Sequence, residues 1–236
     1  MCPLRSETTL DLQYDPYLKN IEPDTERGPY TDRYPVALPN GHSLVIPIVP
    51  LPRQEGQEEQ AISLLMSTEL TFEVADVLGK LLAEKVAAFK PDVIVGIPTL
   101  GLSWAEKVAR LLGHDHYVPL STTKKFWFQD SAAETSSITS GGGKKLYLPP
   151  EVEYRIKGDK RVVIVDDVVC TAGSLMPAIK LIAEARGNIV GIGVVLTEGT
   201  QWQHVLQANG LSPHLVVSVG RIPLFRKVAS GSWEAM

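Results

Sequence analysis

The sequence has few cysteines, no long apolar run and no excess of basic residues, and each absence excludes a class of protein. Two cysteines, Cys2 and Cys170, are too few for a disulfide framework or a four-cysteine zinc site. A formal net charge of −4 provides no general positive field for binding nucleic acid. No segment approaches the roughly 20 apolar residues of a membrane-spanning helix, and the first residues are too polar for a secretory signal. We therefore expect a cytoplasmic protein that binds neither membrane nor nucleic acid.

The beginning of the chain differs in character from the rest. Residues 1–60 contain nine of the 17 prolines, which excludes long helices there. Asn40-Gly41 is a strong turn signal, and residues 42–49 after it have the pattern of a strand. We expect residues 1–60 to form a proline-rich arm or hood lobe, with the acidic residues 54–60 as a solvated linker. Residues 226–236 are expected to be a C-terminal tail.

Residues 61–225 alternate between strand and helix patterns. Strands are predicted at 92–97, 116–120, 161–165, 188–196 and 215–219, and helices at 70–89, 103–112, 174–186 and 200–208. This alternation predicts an α/β core, an open and mostly parallel twisted sheet flanked by helices. Ligands of such sheets bind beyond the carboxyl ends of the strands.

One long segment interrupts the alternation. Residues 121–145 are rich in serine, threonine and glycine, with lysines near both ends. Irregular segments of this length inside a compact domain are usually functional lids or disordered insertions. We expect a flexible lid, with a surface insertion of no function as the alternative.

The strongest chemical signal is the segment VVIVDDVVCTAGS, from Val162 to Ser174. An apolar strand ends in two adjacent acids, Asp166 and Asp167, and a turn of small residues then opens a helix. Backbone N–H groups at a helix N-terminus bind anions, and small side chains let a phosphate approach them. Paired carboxylates suit sugar hydroxyls or a magnesium ion, which takes carboxylates together with ligand oxygens. The order of these features predicts a sugar-phosphate site; the alternative is a capped turn whose acids are only solvated.

This segment resembles the signature of the type I phosphoribosyltransferases, and the resemblance extends in order over residues 91–219. It implies that fold, and it implies that Asp166 and Asp167 contact the ribose hydroxyls of phosphoribosyl pyrophosphate (PRPP) as catalytic residues. The same pair would hold Mg2+, through PRPP or through water. The residues implied to bind the 5-phosphate are Val169, Cys170, Thr171, Ala172, Gly173 and Ser174. Because Ala172 stands where many members have glycine, we expect its φ to be negative.

Two further segments lie where that family binds pyrophosphate. One is the loop after strand 92–97, whose backbone amides wrap the pyrophosphate in the family, often through a cis peptide bond before a residue other than proline. The other is the lid. The residues implied to bind pyrophosphate are Thr99, Leu100, Gly101, Lys124, Lys144 and Lys145, and Lys125 is implied to be catalytic. A plain strand-to-helix turn and solvated surface lysines are the alternatives.

Recognition of the base is the least defined part. Phe126 and Trp127 could stack on it or simply pack the lid, and Ile222 and Leu224 lie where family members often build a hood over the base. The N-terminal arm is a rival for that hood. Cys170 is interpreted as a small residue beneath the base and not as a nucleophile.

The resemblance therefore implies an enzyme that transfers the 5-phosphoribosyl group from PRPP to a nitrogenous base. A purine, adenine above all, is the expected acceptor, with nucleoside 5-monophosphate and pyrophosphate as products, Mg2+ as cofactor and a homodimer as the assembly. A PRPP-binding regulator without catalysis and an orotate or other pyrimidine phosphoribosyltransferase are the alternatives.

Overall fold

The computed structural model describes residues 28–52, 56, 58–128, 145–228 and 231–236, together with the backbone of short strands at 18–20 and 134–136. Within these residues the strands are β1 (Leu18–Asn20), β2 (Arg33–Ala37), β3 (His42–Pro50), β4 (Gln60–Ser63), β5 (Val93–Gly96), β6 (Val118–Pro119), β7 (Glu134–Ser136), β8 (Lys145–Tyr147), β9 (Arg161–Val169), β10 (Asn188–Glu198), β11 (Val216–Ile222), β12 (Phe225–Lys227) and β13 (Trp233–Ala235). The helices are α1 (Phe72–Ala87), α2 (Gly101–Leu111), α3 (Pro150–Glu153), α4 (Leu175–Glu184) and α5 (Gln201–Ala208).

The parallel sheet predicted from the alternating pattern is confirmed. Among the described residues it has the order β11-β10-β9-β5-β6, and each neighbouring pair is parallel. Helices α1 and α2 pack on one face, while α4 and α5 pack on the other. The central strand β9 is buried on both faces because helices cover both, which explains its uninterrupted apolar run.

Strand β9 is longer than predicted. The sequence predicts that it ends at Val165, but its parallel pairing with β10 continues from Asp166↔Val194 to Val169↔Thr197. Ladder hydrogen bonds in the sheet outweigh the low intrinsic preference of aspartate for strands. The two acids therefore lie within the last part of a paired strand and not just beyond it.

A second sheet joins the two ends of the described chain. Its order is β1-β3-β4-β12-β13, with β2 paired to β3, and the pairs are antiparallel. Gln60, expected in the linker, begins β4, while residues 53–55 and 57 lie outside the described part. Residues 226–236, expected as a tail, contribute to β12 and β13. This sheet, called the hood below, thus combines strands from both candidate segments, and its covering of a base stays a prediction.

This hood shares its core with the parallel sheet. Val36, Leu44 and Ile46 of the hood are buried in the same cluster as Leu78 of α1 and Trp104 of α2. A Cβ built on Gly220 of β11 would lie 2.5 Å from Val36 Cγ1, so β2 packs closely on the end of β11. The hood is therefore fixed over the carboxyl end of the sheet.

The lid segment is partly paired. Strands β7 and β8 form a two-stranded antiparallel unit, and Ser121 and Tyr147 exchange backbone hydrogen bonds of 2.9 and 2.8 Å. Residues 129–133 and 137–144 lie outside the described part. In the part of the chain that is described, no helix combines the length and the hydropathy that a membrane span requires.

Candidate active site

Asp166 lies at the centre of the candidate site, near the carboxyl end of β9. It is 7% exposed, and its Oδ2 accepts a hydrogen bond of 3.2 Å from Ser174 Oγ. Its Oδ1 accepts a 3.0 Å hydrogen bond from the backbone N–H of Asp167. Burial raises the pKa of Asp166 well above the usual carboxyl range, and the neighbouring Asp167 raises it further. Burial also raises the pKa of the half-buried Asp167, so the site resists holding two negative charges.

The turn before α2 packs directly against this carboxyl group. A Cβ built on Gly101 would lie 2.7 Å from Asp166 Oδ1, which leaves no space for a side chain there. The Pro98–Thr99 peptide bond is cis, and Thr99 is exposed. The first residues of α2 and the last residues of β9 therefore form two walls of one site.

The turn after β9 opens α4, as the sequence predicts, but Ala172 differs from expectation. Its φ is +59°, where we expected a negative value. A left-handed conformation costs a non-glycine residue about 1–2 kcal/mol. The Ala172 methyl is 2% exposed and packs in the cluster that contains Val169 and Leu175, which offsets part of that cost. The turn therefore keeps the geometry that favours glycine while carrying a buried methyl group.

Cys170 adjoins an acid that the sequence analysis missed. Its thiol hydrogen-bonds to the carboxyl group of Glu198, the last residue of β10. Burial, together with this hydrogen bond and the Glu198 charge, raises the pKa of Cys170 to about 12. Such a thiol stays protonated at neutral pH, which argues against a nucleophile. The signal was available, because Glu198 ends an apolar strand just as the aspartate pair ends β9.

The lid lysines lie at its two ends. Lys124 and Lys125 are exposed and follow β6 closely, and Lys145 begins β8. The Ser121–Tyr147 pairing holds these ends together, which places all three at the base of the lid. Lys144 lies outside the described residues.

The four residues considered for base binding have different surroundings. Phe126 is 95% exposed and contacts Trp127 edge-to-face at a centroid distance of 4.8 Å. Ile222 is buried and pairs in register with Glu198, while the half-buried Leu224 lies next to Gly199. The structure thus brings Ile222 and Leu224 to the strand ends near Glu198, whereas Phe126 and Trp127 project from the lid.

The chain matches the family model for the phosphoribosyl transferase domain over residues 63–210. This chain belongs to the phosphoribosyltransferase family. It is 34% identical over 112 residues to an adenine phosphoribosyltransferase of Nitrosomonas eutropha, covering 46% of this chain and 59% of that protein. It is 25% identical over 122 residues to an orotate phosphoribosyltransferase of Caldanaerobacter subterraneus, covering 52% and 53%. The chain thus spans between half and three-fifths of the length of these two relatives.

Solved structures show the same fold. Adenine phosphoribosyltransferase from Rhodothermus marinus superposes with a TM-score of 0.55 at 22% identity, covering 74% of this chain and 93% of that one. The enzyme from Thermoanaerobacter pseudethanolicus gives a TM-score of 0.58 at 19% identity, covering 74% and 95%. The expected phosphoribosyltransferase fold is therefore confirmed.

This family member can offer a metal ion two carboxylates. Within the described residues, no group of three or more histidine, cysteine or acidic side chains could hold a metal ion. Asp166 and Asp167 are the residues that would hold Mg2+, which takes one or two carboxylates and completes its shell with water and substrate oxygens. The donor set therefore suits an ion that arrives with a phosphorylated ligand.

Proposed function

We propose that this phosphoribosyltransferase transfers the 5-phosphoribosyl group of PRPP to a purine base, releasing pyrophosphate. One observation carries the proposal: the acidic end of β9, the turn before α4 and the turn before α2 meet around Asp166. Ser174 donates a hydrogen bond to that carboxyl group, and the backbone at Gly101 packs against it. A ligand with a pentose and phosphates at both ends matches these three neighbouring features.

The sugar and its 5-phosphate would bind along β9 and the turn that follows it. Asp166 and Asp167 would accept hydrogen bonds from ribose hydroxyls, which would replace the water that burial removes from these carboxyl groups. The residues proposed to surround the 5-phosphate are Val169, Cys170, Thr171, Ala172, Gly173 and Ser174. Backbone N–H groups at the start of α4 are suited to an anion, and the Thr171 hydroxyl adds a donor. Ser174 Oγ, which donates its one hydrogen to Asp166 in the structure, would turn from that carboxyl group to donate to the phosphate.

The pyrophosphate would bind at the start of α2. Thr99, Leu100 and Gly101 form this turn, and Gly101 permits its close approach to Asp166. Lys124, Lys125, Lys144 and Lys145 would close over the departing group, because a cluster of cations stabilises the charge that develops as the bond to the sugar breaks. A bound Mg2+ would neutralise part of the same charge. We propose closure of the lid as the step that excludes water.

Adenine is the proposed acceptor. Several relatives are adenine phosphoribosyltransferases, while others carry the names orotate and xanthine phosphoribosyltransferase. The small Cys170 side chain leaves room for a flat base beside the sugar site. Ile222 and Leu224 would contact the base, with Phe126 and Trp127 reaching it only when the lid closes. A homodimer remains a prediction for sedimentation measurements.

The test is release of pyrophosphate from PRPP with Mg2+ and a panel of adenine, guanine, hypoxanthine, xanthine and orotate. We expect turnover to be highest with adenine. The double variant Asp166→Asn/Asp167→Asn should lose turnover. The matched control is Asp115→Asn combined with Asp159→Asn, because both of these aspartates are exposed. Calorimetry with PRPP and Mg2+ accompanies the assay.

The outcomes separate the alternatives. Binding of PRPP without turnover of any base would indicate a PRPP-responsive regulator. Turnover with orotate alone would indicate a pyrimidine enzyme. Near-normal activity in the Asp166/Asp167 double variant would contradict the site itself.

A further inference from the structure

Glu198 occupies a position next to the sugar-phosphate site that the proposed chemistry does not use. It ends β10, the neighbour of β9, and the register Thr197↔Val169 places it beside Cys170 at the start of the phosphate turn. On its other side it pairs with Ile222 of β11. Glu198 therefore lies at the carboxyl end of the sheet, between the phosphate turn and the hood.

The carboxyl group of Glu198 is buried, and one of its two oxygens lacks a hydrogen-bond partner among the described residues. Glu198 is 5% exposed, and its Oε1 has no hydrogen-bond partner among the described residues. The Cys170 thiol interacts with this carboxyl group, and a thiol is a weak donor. A buried acceptor left without a partner costs roughly 1–3 kcal/mol, so Oε1 calls for a partner that the described residues do not supply, such as a water, an ion or a ligand.

Apolar side chains lie beside Glu198 on the hood side. Ile222 pairs with it in register, Leu224 lies next to the following residue, Gly199, and the hood strand β2 packs on β11 two residues before Ile222, at Gly220. A planar base joined to a pentose at Asp166 and Asp167 would enter this part of the site, beyond the ends of β9, β10 and β11. Apolar walls with a single convergent polar group are typical of sites that fix the orientation of a flat ligand.

We propose that Glu198 determines base specificity by accepting a hydrogen bond from an amino group of the acceptor base. This inference rests on the proposed function and names its substrate class as amino-substituted purines. Cys170 positions the carboxyl group by donating to it, which leaves Oε1 for the base. The terminal torsion of a glutamate is soft, so Oε1 turns toward the ligand at little cost.

The experiment compares bases that differ by one amino group: adenine with unsubstituted purine, and guanine with hypoxanthine. For each pair the ratio of kcat/KM values is measured in wild type, Glu198→Leu and Glu198→Gln, with the KM for PRPP as a second readout. The control is Glu84→Gln, on the exposed face of α1. Glu198→Met provides a second variant without the carboxyl group if the leucine variant fails to fold.

We expect wild type to prefer the amino-bearing base of at least one pair by tenfold or more, since a site built to pair with a donor discriminates strongly against its absence. Glu198→Leu should reduce that preference to within about twofold with an unchanged KM for PRPP. Glu198→Gln, which keeps an amide oxygen, should retain part of it.

Two results would overturn the specificity role alone: a wild type with no preference in either pair, or a preference that Glu198→Leu leaves intact. A wild type that turns over no base overturns the proposed function and this inference with it.

Discussion

Gly101 lies so close to Asp166 that no side chain fits on Gly101. A Cβ on Gly101 would lie 2.7 Å from Asp166 Oδ1, 2.9 Å from its Cα and 3.0 Å from the carbonyl oxygen of Val165. Two of these three atoms belong to the backbone of a buried central strand and cannot move aside. This contact joins the α2 turn to the β9 acids and so fixes the separation of the two proposed phosphate sites.

The first prediction concerns Gly101→Ala. The added methyl group must displace the α2 turn, and overpacking of this kind costs about 1–3 kcal/mol of the free energy of unfolding. We expect affinity for PRPP to fall at least tenfold in calorimetry. Gly41→Ala is the control, because Gly41 has a φ of +83° and nothing near its Cβ. It should lose about 1 kcal/mol of stability and keep its PRPP affinity; equal affinity losses in both variants would contradict the role given to this contact.

The second prediction is a pH dependence of stability at Asp166. Burial raises the pKa of Asp166 in the folded state, so the folded chain holds this proton more tightly than the unfolded chain. The resulting stability is fully present below the unfolded pKa of about 3.9 and is lost as pH rises through the folded pKa. Asp166→Asn cannot ionise and so does not lose this stability. The Tm of Asp166→Asn minus the Tm of wild type should therefore increase as pH rises above about 4. A difference in Tm that stays constant with pH, as expected for Asp159→Asn, would refute this.

The third prediction concerns the reactivity of Cys170. With a thiol pKa of about 12, only about one molecule in ten thousand carries a thiolate at pH 8. In a Cys2→Ser background, iodoacetamide should modify Cys170 about a thousandfold more slowly than it modifies a free cysteine peptide. Unfolding in urea should remove that difference. Alkylation of the folded chain at the peptide's rate would show that the thiol is not held as described.

The fourth prediction tests the hood. Phe225 is fully buried, and its ring contacts Tyr34 and Tyr30 edge-to-face at centroid distances of 5.4 and 6.0 Å. Phe225→Ala should lower the free energy of unfolding by about 3–5 kcal/mol in urea titration. The control Phe72→Ala removes a side chain that is 90% exposed and should change it by less than about 0.5 kcal/mol. If Phe225→Ala lowered the free energy of unfolding by no more than Phe72→Ala does, the C-terminal strands would not stabilise the hood.

The sequence by itself determined the α/β core and predicted the position of the site. The run VVIV before Asp166 is apolar and entirely β-branched, which predicts a strand covered on both faces, and the small residues after it mark a turn into a helix. These are local signals, carried by neighbours in the chain. They also defined the family resemblance that the family model confirms over residues 63–210.

Only the tertiary structure decided which distant segments meet. The pairing of β4 with β12 joins residues that are more than 160 positions apart, and no local pattern specifies such a partner. The extension of β9 through its acids and the positive φ of Ala172 also depend on contacts, with β10 in one case and with a buried cluster in the other. Glu198 acquires its importance in the same way, since its burial and its position beside Cys170 arise from the pairing of β10 with β9.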